Sequence, residues 1–303
     1  MQRIIFVGLG AVGATFAAQF LQAGCDVQVL CSRERKERYQ AAGFTVNGKP
    51  ASFRFVTPDE LVQPVELLLI SVKYHHLPEV LDLMAPAVGP DTVIVSLLNG
   101  IDSEEIIAAR YGEARILPAL VAQIDAVKIG TEVGYTRGGK IFFGEEGGES
   151  SERALRLAET LLSAGIDHEL SADIRRRLWW KFMLNVGVNQ AAALLRAPYG
   201  VFQAHESARE LARTAMREVI AIADKLGIGL GEEDMAAGFA MMGGFAPDGK
   251  VSMLQDVEAE RKTEVEMFAL KVCRLGEELG VPTPVNRIFY QAIRALEESY
   301  GAA

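Results

Sequence analysis

Cysteine is scarce, with only Cys25, Cys31 and Cys273 in 303 residues. Three thiols cannot complete a disulfide framework and lack the spacing of a metal site. The composition therefore points to a reducing, cytoplasmic setting with packed thiols rather than reactive ones. Long apolar runs are missing too: half the residues are hydrophobic, yet no run approaches the ~20 apolar residues of a membrane span. A secretory leader is not expected, because the first strand pattern starts two residues after Met1. Positive charge is in deficit. A net charge of −9 argues against broad nucleic-acid binding, while leaving room for a local basic pocket for a small anion. No internal repeat or low-complexity tract interrupts the chain. Its length suffices for two domains, each with its own core.

What is present begins at the start of the chain. Arg3-Ile4-Ile5-Phe6-Val7 reads as a buried parallel strand. Gly8-Leu9-Gly10-Ala11-Val12-Gly13 follows at once, then a helical repeat of Val12, Phe16, Phe20 and Leu21, then a second strand at Val27–Leu30. Strand, glycines, helix and strand within about 30 residues form the dinucleotide fingerprint. Gly8 permits the tight turn, Gly10 lets a pyrophosphate approach the backbone, and Gly13 lets the helix pack against the strand. The anion would sit on the free N–H groups of the helix N-terminus. A glycine-rich turn without a ligand is the blander alternative, and three glycines in register would weaken such a turn for nothing. At the end of the second strand a NAD site would carry an acid for the ribose 2′-hydroxyl. Ser32 and Arg33 stand there instead, which suits a 2′-phosphate and hence NADP(H), although Arg33, Arg35 and Lys36 also read as a solvated helix start.

Phe44–Val46 and Phe53–Val56 flank the turn signal Asn47-Gly48 and predict a short hairpin. Buried strands are expected at Glu66–Val72, ending in Lys73, and at Thr92–Leu98, ending in Asn99-Gly100. Ligands of open α/β sheets bind beyond the carboxyl ends of strands, so Gly10, Lys73 and Asn99 would converge on one edge. A short helix from Ser103 to Arg110, capped by Asp102 or Ser103, comes next. Strands at 116–124, 131–136 and 140–144 follow, the last two joined by Arg137-Gly138-Gly139, then a helix at 153–162 and a short strand at 167–170. From Ala172 onward strand patterns vanish. The expectation is an α/β Rossmann dinucleotide-binding domain over residues 1–170 and an all-helical domain over 171–303. Within the latter, Leu178–Leu195 reads as one apolar helix carrying Lys181, Asn185 and Asn189 at i, i+4 and i+8, a single polar stripe. It is either a structural network between helices or a row of donors for a substrate rich in carboxylate and carbonyl oxygens. Helices are also predicted at 207–226, at 232–242, and from Ser252, with capping-box spacing to Gln255, unbroken to Leu279. Glu264 would lie in the middle of that last helix, as a candidate counter-charge for Lys181. A final helix is expected at about 286–300.

The chain resembles the ketopantoate reductases (2-dehydropantoate 2-reductases) over essentially its whole length. The resemblance is carried by Gly8–Gly13, Lys73, Leu98-Asn99-Gly100, Trp180-Lys181-Phe182-Met183-Leu184-Asn185, Asn189, and Ser252-Met253-Leu254-Gln255-Asp256 followed by Thr263-Glu264. It implies a cytoplasmic oxidoreductase of pantothenate and coenzyme A biosynthesis that uses NADPH on a small 2-keto acid, in a cleft between the two domains. Lys181 would be the proton donor. Gly8, Leu9, Gly10, Ala11, Val12, Gly13, Ser32, Arg33, Lys73 and Asn99 would contact the cofactor. Asn99, Asn185, Asn189 and Ser252 would bind substrate, and Glu264 would hold cofactor, substrate and lysine together. No metal, nucleic-acid or membrane partner is implied, and a homodimer is left open. Several positions depart from the family pattern: Ser32 where its 2′-phosphate arginine usually stands, Pro118-Ala119 for paired glycines, Gln190 for a proline, and Tyr199 for an asparagine. A related NAD(P)-dependent reductase of another keto or hydroxy acid, or a non-catalytic NADP(H)-sensing protein, are the alternative readings.

Overall fold

Four consecutive buried apolar residues, Ile4 to Val7, make β1 (Arg3–Val7) a strand covered on both faces, as a parallel strand between helix layers must be. The computed structural model describes residues 3–300 and divides into two compact units between Ile174 and Arg175. In the first unit β1 leads to α1 (Ala11–Gln22), β2 (Asp26–Leu30), α2 (Arg33–Ala42), β3 (Thr45–Val46), β4 (Lys49–Pro50) and β5 (Arg54–Val56). β6 (Leu67–Ile70), α3 (Leu77–Leu83), β7 (Val93–Ser96) and α4 (Ser103–Tyr111) follow. Five of these strands form one parallel sheet in the order β5-β2-β1-β6-β7. The winding direction reverses between β1 and β6, where open α/β sheets leave a crevice at the carboxyl ends of their strands. Alternate residues of β1 serve opposite layers, as the period of two demands. Ile4 and Phe6 join Phe16 and Phe20 of α1, whereas Ile5 and Val7 join Leu77 and Val80 of α3 and Ile107 of α4.

The unit is completed by β8 (Ala119–Ile124), β9 (Val127–Ile129), β10 (Glu132–Gly134), β11 (Gly138–Phe143), α5 (Glu152–Ser163) and β12 (His168–Leu170). They build two small sheets, β12-β11-β8 and β4-β3-β10-β9. The hairpin differs from expectation. Asn47 and Gly48 both take positive φ and close a two-residue turn that pairs Thr45–Val46 with Lys49–Pro50. Phe55 and Val56 are thereby released to form β5 on the edge of the main sheet. β10 and β11 are likewise not hairpin partners. The Asp125 carboxylate accepts the backbone N–H groups of Thr136 and Arg137, each at 2.8 Å, and this turns the chain from one small sheet into the other.

The second unit is helical: α6 (Ile174–Leu184), a π-helical turn at Asn185–Asn189, α7 (Gln190–Leu195), α8 (Tyr199–Ala204), α9 (Glu206–Lys225) and α10 (Glu232–Met242). Then come α11 (Ser252–Glu258), a second π turn at Glu266–Leu270, α12 (Lys271–Leu279) and α13 (Pro284–Glu298). Two expected helices are therefore interrupted. The apolar helix carrying Lys181 widens into a π turn at the two asparagines. The helix expected from Ser252 to Leu279 stops at Glu258; Glu260 turns left-handed at φ 50°, and Glu264 lies in a non-helical segment. Ser252 does not cap, because Val251 holds the N-cap position and the Gln255 amide donates to the Lys250 carbonyl at 3.1 Å.

The first π turn lies on α9. A Cβ on Gly187 would come within 2.5 Å of Met216 Cγ and 2.8 Å of the Ala212 carbonyl oxygen. Only glycine admits this approach. Gly187→Ala should cost about 1–3 kcal/mol, the usual range for overpacking, read as a lower urea midpoint at unchanged slope. A variant as stable as the parent would show that α9 yields.

Candidate active site

The glycine turn between β1 and α1 approaches the end of β6 closely. Gly8 has φ +101°, and a Cβ there would run into the Ser71 carbonyl oxygen. A Cβ on Gly13 would strike the Gly8 carbonyl oxygen and come within 2.9 Å of Ser71 Cβ. Gly10 differs from both: a Cβ there would find nothing nearer than the Ser71 carbonyl oxygen at 3.8 Å. Two of the glycines are thus required by the chain's own packing, whereas the third opens space that the protein does not fill. Gly10 is also the N-cap of α1, with no side-chain cap bond and no acid in the first turn. Leu9 is buried beneath the turn, and Ala11 and Val12 are half-buried. Free helix N–H groups beside an open approach fit a pyrophosphate.

At the end of β2 the Ser32 hydroxyl accepts the Arg35 N–H at 3.3 Å and caps α2. Arg33 pairs with Asp59 at 3.0 Å on the surface, and Lys36 with Glu60 at 2.5 Å. Lys73 stands three residues beyond β6, ahead of a 3₁₀ turn at Tyr74–His76, and Asn99 three residues beyond β7, followed by Gly100 at φ +90°. Both are half-buried at the carboxyl edge.

Sequence reasoning missed what ties their two loops together. The Tyr74 hydroxyl donates to Asp102 Oδ2 at 2.8 Å, so Asp102, although at the N-cap position, makes no cap bond to α4. Ser96 and Ser103 hydroxyls lie 2.8 Å apart, and Ser103 donates to Glu104 Oε2 at 2.8 Å. Burial pushes the Glu104 carboxyl up to about 7, against the lowering effect of the Ser103 and Ala119 hydrogen bonds. The signal available in the sequence was adjacency: Tyr74 follows Lys73, and Asp102-Ser103-Glu104 follows Asn99-Gly100 closely.

In the second unit Lys181 occupies the last turn of α6, half-buried. Asn185 and Asn189 open and close the first π turn, and Asn189 Nδ2 donates to Asn185 Oδ1 at 3.2 Å. Asn185 Nδ2 is itself buried and finds no acceptor among the described residues, an omission that costs about 1–3 kcal/mol for a buried donor. π turns recur at functional sites because they re-aim side chains within a helix. This one packs on α11 and on the second π turn. Ser252 opens α11, exposed, and Glu264 is buried just ahead of the second π turn, its carbonyl accepting the Met267 and Phe268 N–H groups at 3.1 Å. Neighbouring motif residues are structural. Asp256 holds Arg261 at 3.1 Å, and the Thr263 N–H and hydroxyl both donate to Glu297 Oε1, at 2.7 and 2.6 Å.

Two departures from the family pattern acquire roles. The Gln190 amide donates to the Val186 carbonyl at 2.8 Å and to Asn286 Oδ1 at 3.2 Å, and Asn286 in turn donates to Glu218 at 2.7 Å, a buried network between helices. Tyr199 donates its N–H to the Gly249 carbonyl at 3.0 Å and packs on Phe245, holding the loop of residues 243–250. Burial raises the pKa of its hydroxyl. The cysteines are free, and burial pushes the Cys31 thiol up to about 11, which keeps it protonated. Among the described residues no helix is long and apolar enough to cross a membrane.

Two family profiles match, ketopantoate reductase PanE/ApbA over residues 4–148 and its C-terminal counterpart over residues 173–297. A 2-dehydropantoate 2-reductase of Mesorhizobium japonicum is 28% identical, with 99% of each chain covered. The crystal structure of a 2-dehydropantoate 2-reductase from Geobacter metallireducens is 26% identical, with a TM-score of 0.86 over 97% of this chain and 99% of that one. A D-mandelate dehydrogenase solved with NADH and anilino(oxo)acetate shares the fold at a TM-score of 0.89 and 23% identity, covering 98% of this chain and 99% of its own. Both halves of the sequence and the architecture of both units agree, and the chain belongs to the ketopantoate reductase family of oxidoreductases.

Proposed function

We propose that this protein reduces 2-dehydropantoate to pantoate with NADPH, the step that supplies pantoate for pantothenate and coenzyme A. The observation that carries the reading is the buried Asn185 amide without an acceptor, set on a π turn beside Asn189 and just after Lys181. A donor left unmet in the free protein suits a ligand oxygen. Support on the cofactor side comes from Gly10, whose open flank is the approach a pyrophosphate needs. The nicotinamide, when bound, supplies the hydride.

Lys181 delivers a proton from Nζ to the keto oxygen as negative charge grows there. Asn99 orients that carbonyl and, with Lys73, contacts the cofactor. Asn185, Asn189 and Ser252 donate to the remaining oxygens of the substrate. The Glu264 carboxylate, which also lies against the cofactor in this reading, keeps the ammonium placed. Ser32 and Arg33 are the first candidates for the ribose 2′-phosphate. A second reading, the same chemistry on another 2-keto acid, is favoured by Tyr199, which removes an asparagine that the resemblance would place against substrate. NADPH oxidation measured with ketopantoate beside a panel of 2-keto acids that includes benzoylformate separates the two. Dinucleotide binding without turnover of any of them would favour a sensing protein instead.

Lys181→Ala should lower kcat by ~10²-fold or more, as expected for loss of a general acid, while NADPH still binds. Near-normal turnover would remove the assignment and make Lys73 the next candidate. Asn185→Ala should raise KM for the keto acid about tenfold, the value of one hydrogen bond to a charged group, and lower the thermal midpoint only slightly, because the lost donor has no partner in the free protein and only the bond accepted from Asn189 is removed. A variant that mainly loses stability would make the asparagine pair structural.

A further inference from the structure

The basic residues after β2 are not equivalent. Arg33 and Lys36 each hold a carboxylate, Asp59 and Glu60. Arg35 and Arg38, one turn apart on α2, form no ion pair with any described residue, and neither does Lys128 of β9. Lys128 and Arg38 meet over one aromatic surface, with Arg35 as a further charged neighbour of Lys128. Lys128 Nζ lies 5.7 Å from the Tyr39 ring centre and 5.4 Å from that of Phe44, and the Arg38 guanidinium lies 5.4 Å from Tyr39. Glu34 and Glu37 of α2 and Glu132 of the neighbouring β10 are exposed and pair with none of the three cations. Lys128 therefore sits half-buried with two arginines as its charged neighbours, and burial, with the arginines behind it, pulls its pKa down.

Three neighbouring cations with no ion pair to any described residue, in an acidic protein, are an arrangement in want of an anion. β9 is an edge strand, and an edge lysine commonly guards against strand pairing. That duty needs an ammonium out in solvent, whereas this one is folded back over the two rings. Ring faces compensate a cation only weakly, while a phosphate dianion would take charge-assisted hydrogen bonds from all three. The place is also informative. Ser32 caps α2 at the end of β2, where the adenosine ribose of a dinucleotide lies in this type of sheet.

We propose that Arg38 and Lys128, over Tyr39 and Phe44, together with Arg35 one turn back on α2, form a site for a phosphate monoester dianion, taking the part of Arg33, which is paired to Asp59. The ester is the 2′-phosphate of the cofactor or a separate small phosphate ester; only the first source rests on the proposed NADPH-dependent function.

The test compares the parent with the double variant Arg38→Gln, Lys128→Gln. NADPH and NADH are titrated by fluorescence, and 2′-AMP, 5′-AMP and inorganic phosphate by calorimetry. The 2′-phosphate source predicts that the variant binds NADPH and 2′-AMP about tenfold or more weakly, a charge-assisted contact's worth, with NADH and 5′-AMP unchanged. Loss of 2′-AMP, 5′-AMP or phosphate binding with NADPH unaffected would assign the site to a separate ester. The thermal midpoint should hold or rise as like charges are removed, whereas a structural role would lower it. Titrations that coincide for the two proteins with every probe would overturn the site. Failure of keto-acid turnover with either dinucleotide would overturn the reductase reading alone, because the titrations do not depend on turnover.

Discussion

The first unit depends on one close steric approach, the packing of the β1–α1 turn against the backbone at the end of β6. Gly8 and Gly13 have no side chains because the Ser71 carbonyl oxygen, the Ser71 side chain and the Gly8 carbonyl oxygen occupy the space that side chains would take. That contact sets where α1 begins and how it leans on the sheet. It also leaves the helix N-terminus uncapped beside Gly10, whose flank is open. The loops after β6 and β7 are placed by the same parallel sheet, and the Tyr74–Asp102 hydrogen bond joins them into one surface. The candidate residues of this unit thus collect at the carboxyl edge, where the strands end and the following turns have free backbone groups.

The second unit uses a different device. Its first π turn interrupts a helix at Asn185 and Asn189, and its second opens the helical stretch just after Glu264. A π turn sacrifices regular hydrogen bonding to re-aim side chains, and its wider backbone needs a small neighbour, which Gly187 provides against α9. The interruption of the second helix is held by Asp256 on Arg261 and by Glu297 on Thr263. A buried polar network of Gln190, Asn286 and Glu218 stiffens the same unit. Among the described residues of this unit three buried side-chain polar atoms find no partner, Asn185 Nδ2, Gln190 Oε1 and the Tyr300 hydroxyl, and of these the Asn185 amide alone belongs to a π turn.

The candidate site was legible in sequence wherever a residue type has no cheaper use. Gly8-x-Gly10-x-x-Gly13 after an apolar strand, and a lysine with two asparagines on an apolar helix, are both costly unless they bind something. The local pairings were not legible. Asn47-Gly48 announced a turn, but the strand it returns to depended on which segment the sheet edge could use, and β5 was claimed by β2. Arg33 looked like a phosphate ligand by position, yet whether it is free depends on Asp59, 26 residues away in sequence.

By itself, then, the amino-acid order determined the alternation of buried strands and helices in the first unit, the all-helical second unit, and the residue types of the candidate site, because hydrophobic period and glycine sterics act over a few neighbouring residues. Tertiary structure decided the rest. It broke the helix expected across Glu264, widened the helix at Asn185, split β10 from β11 through Asp125, and chose which cations after β2 are neutralised. The widening goes with the close packing of Gly187 on α9, and the other outcomes turn on partners outside the element concerned, whose hydrogen bond or charge outweighs the few tenths of a kilocalorie by which local propensity prefers the regular element.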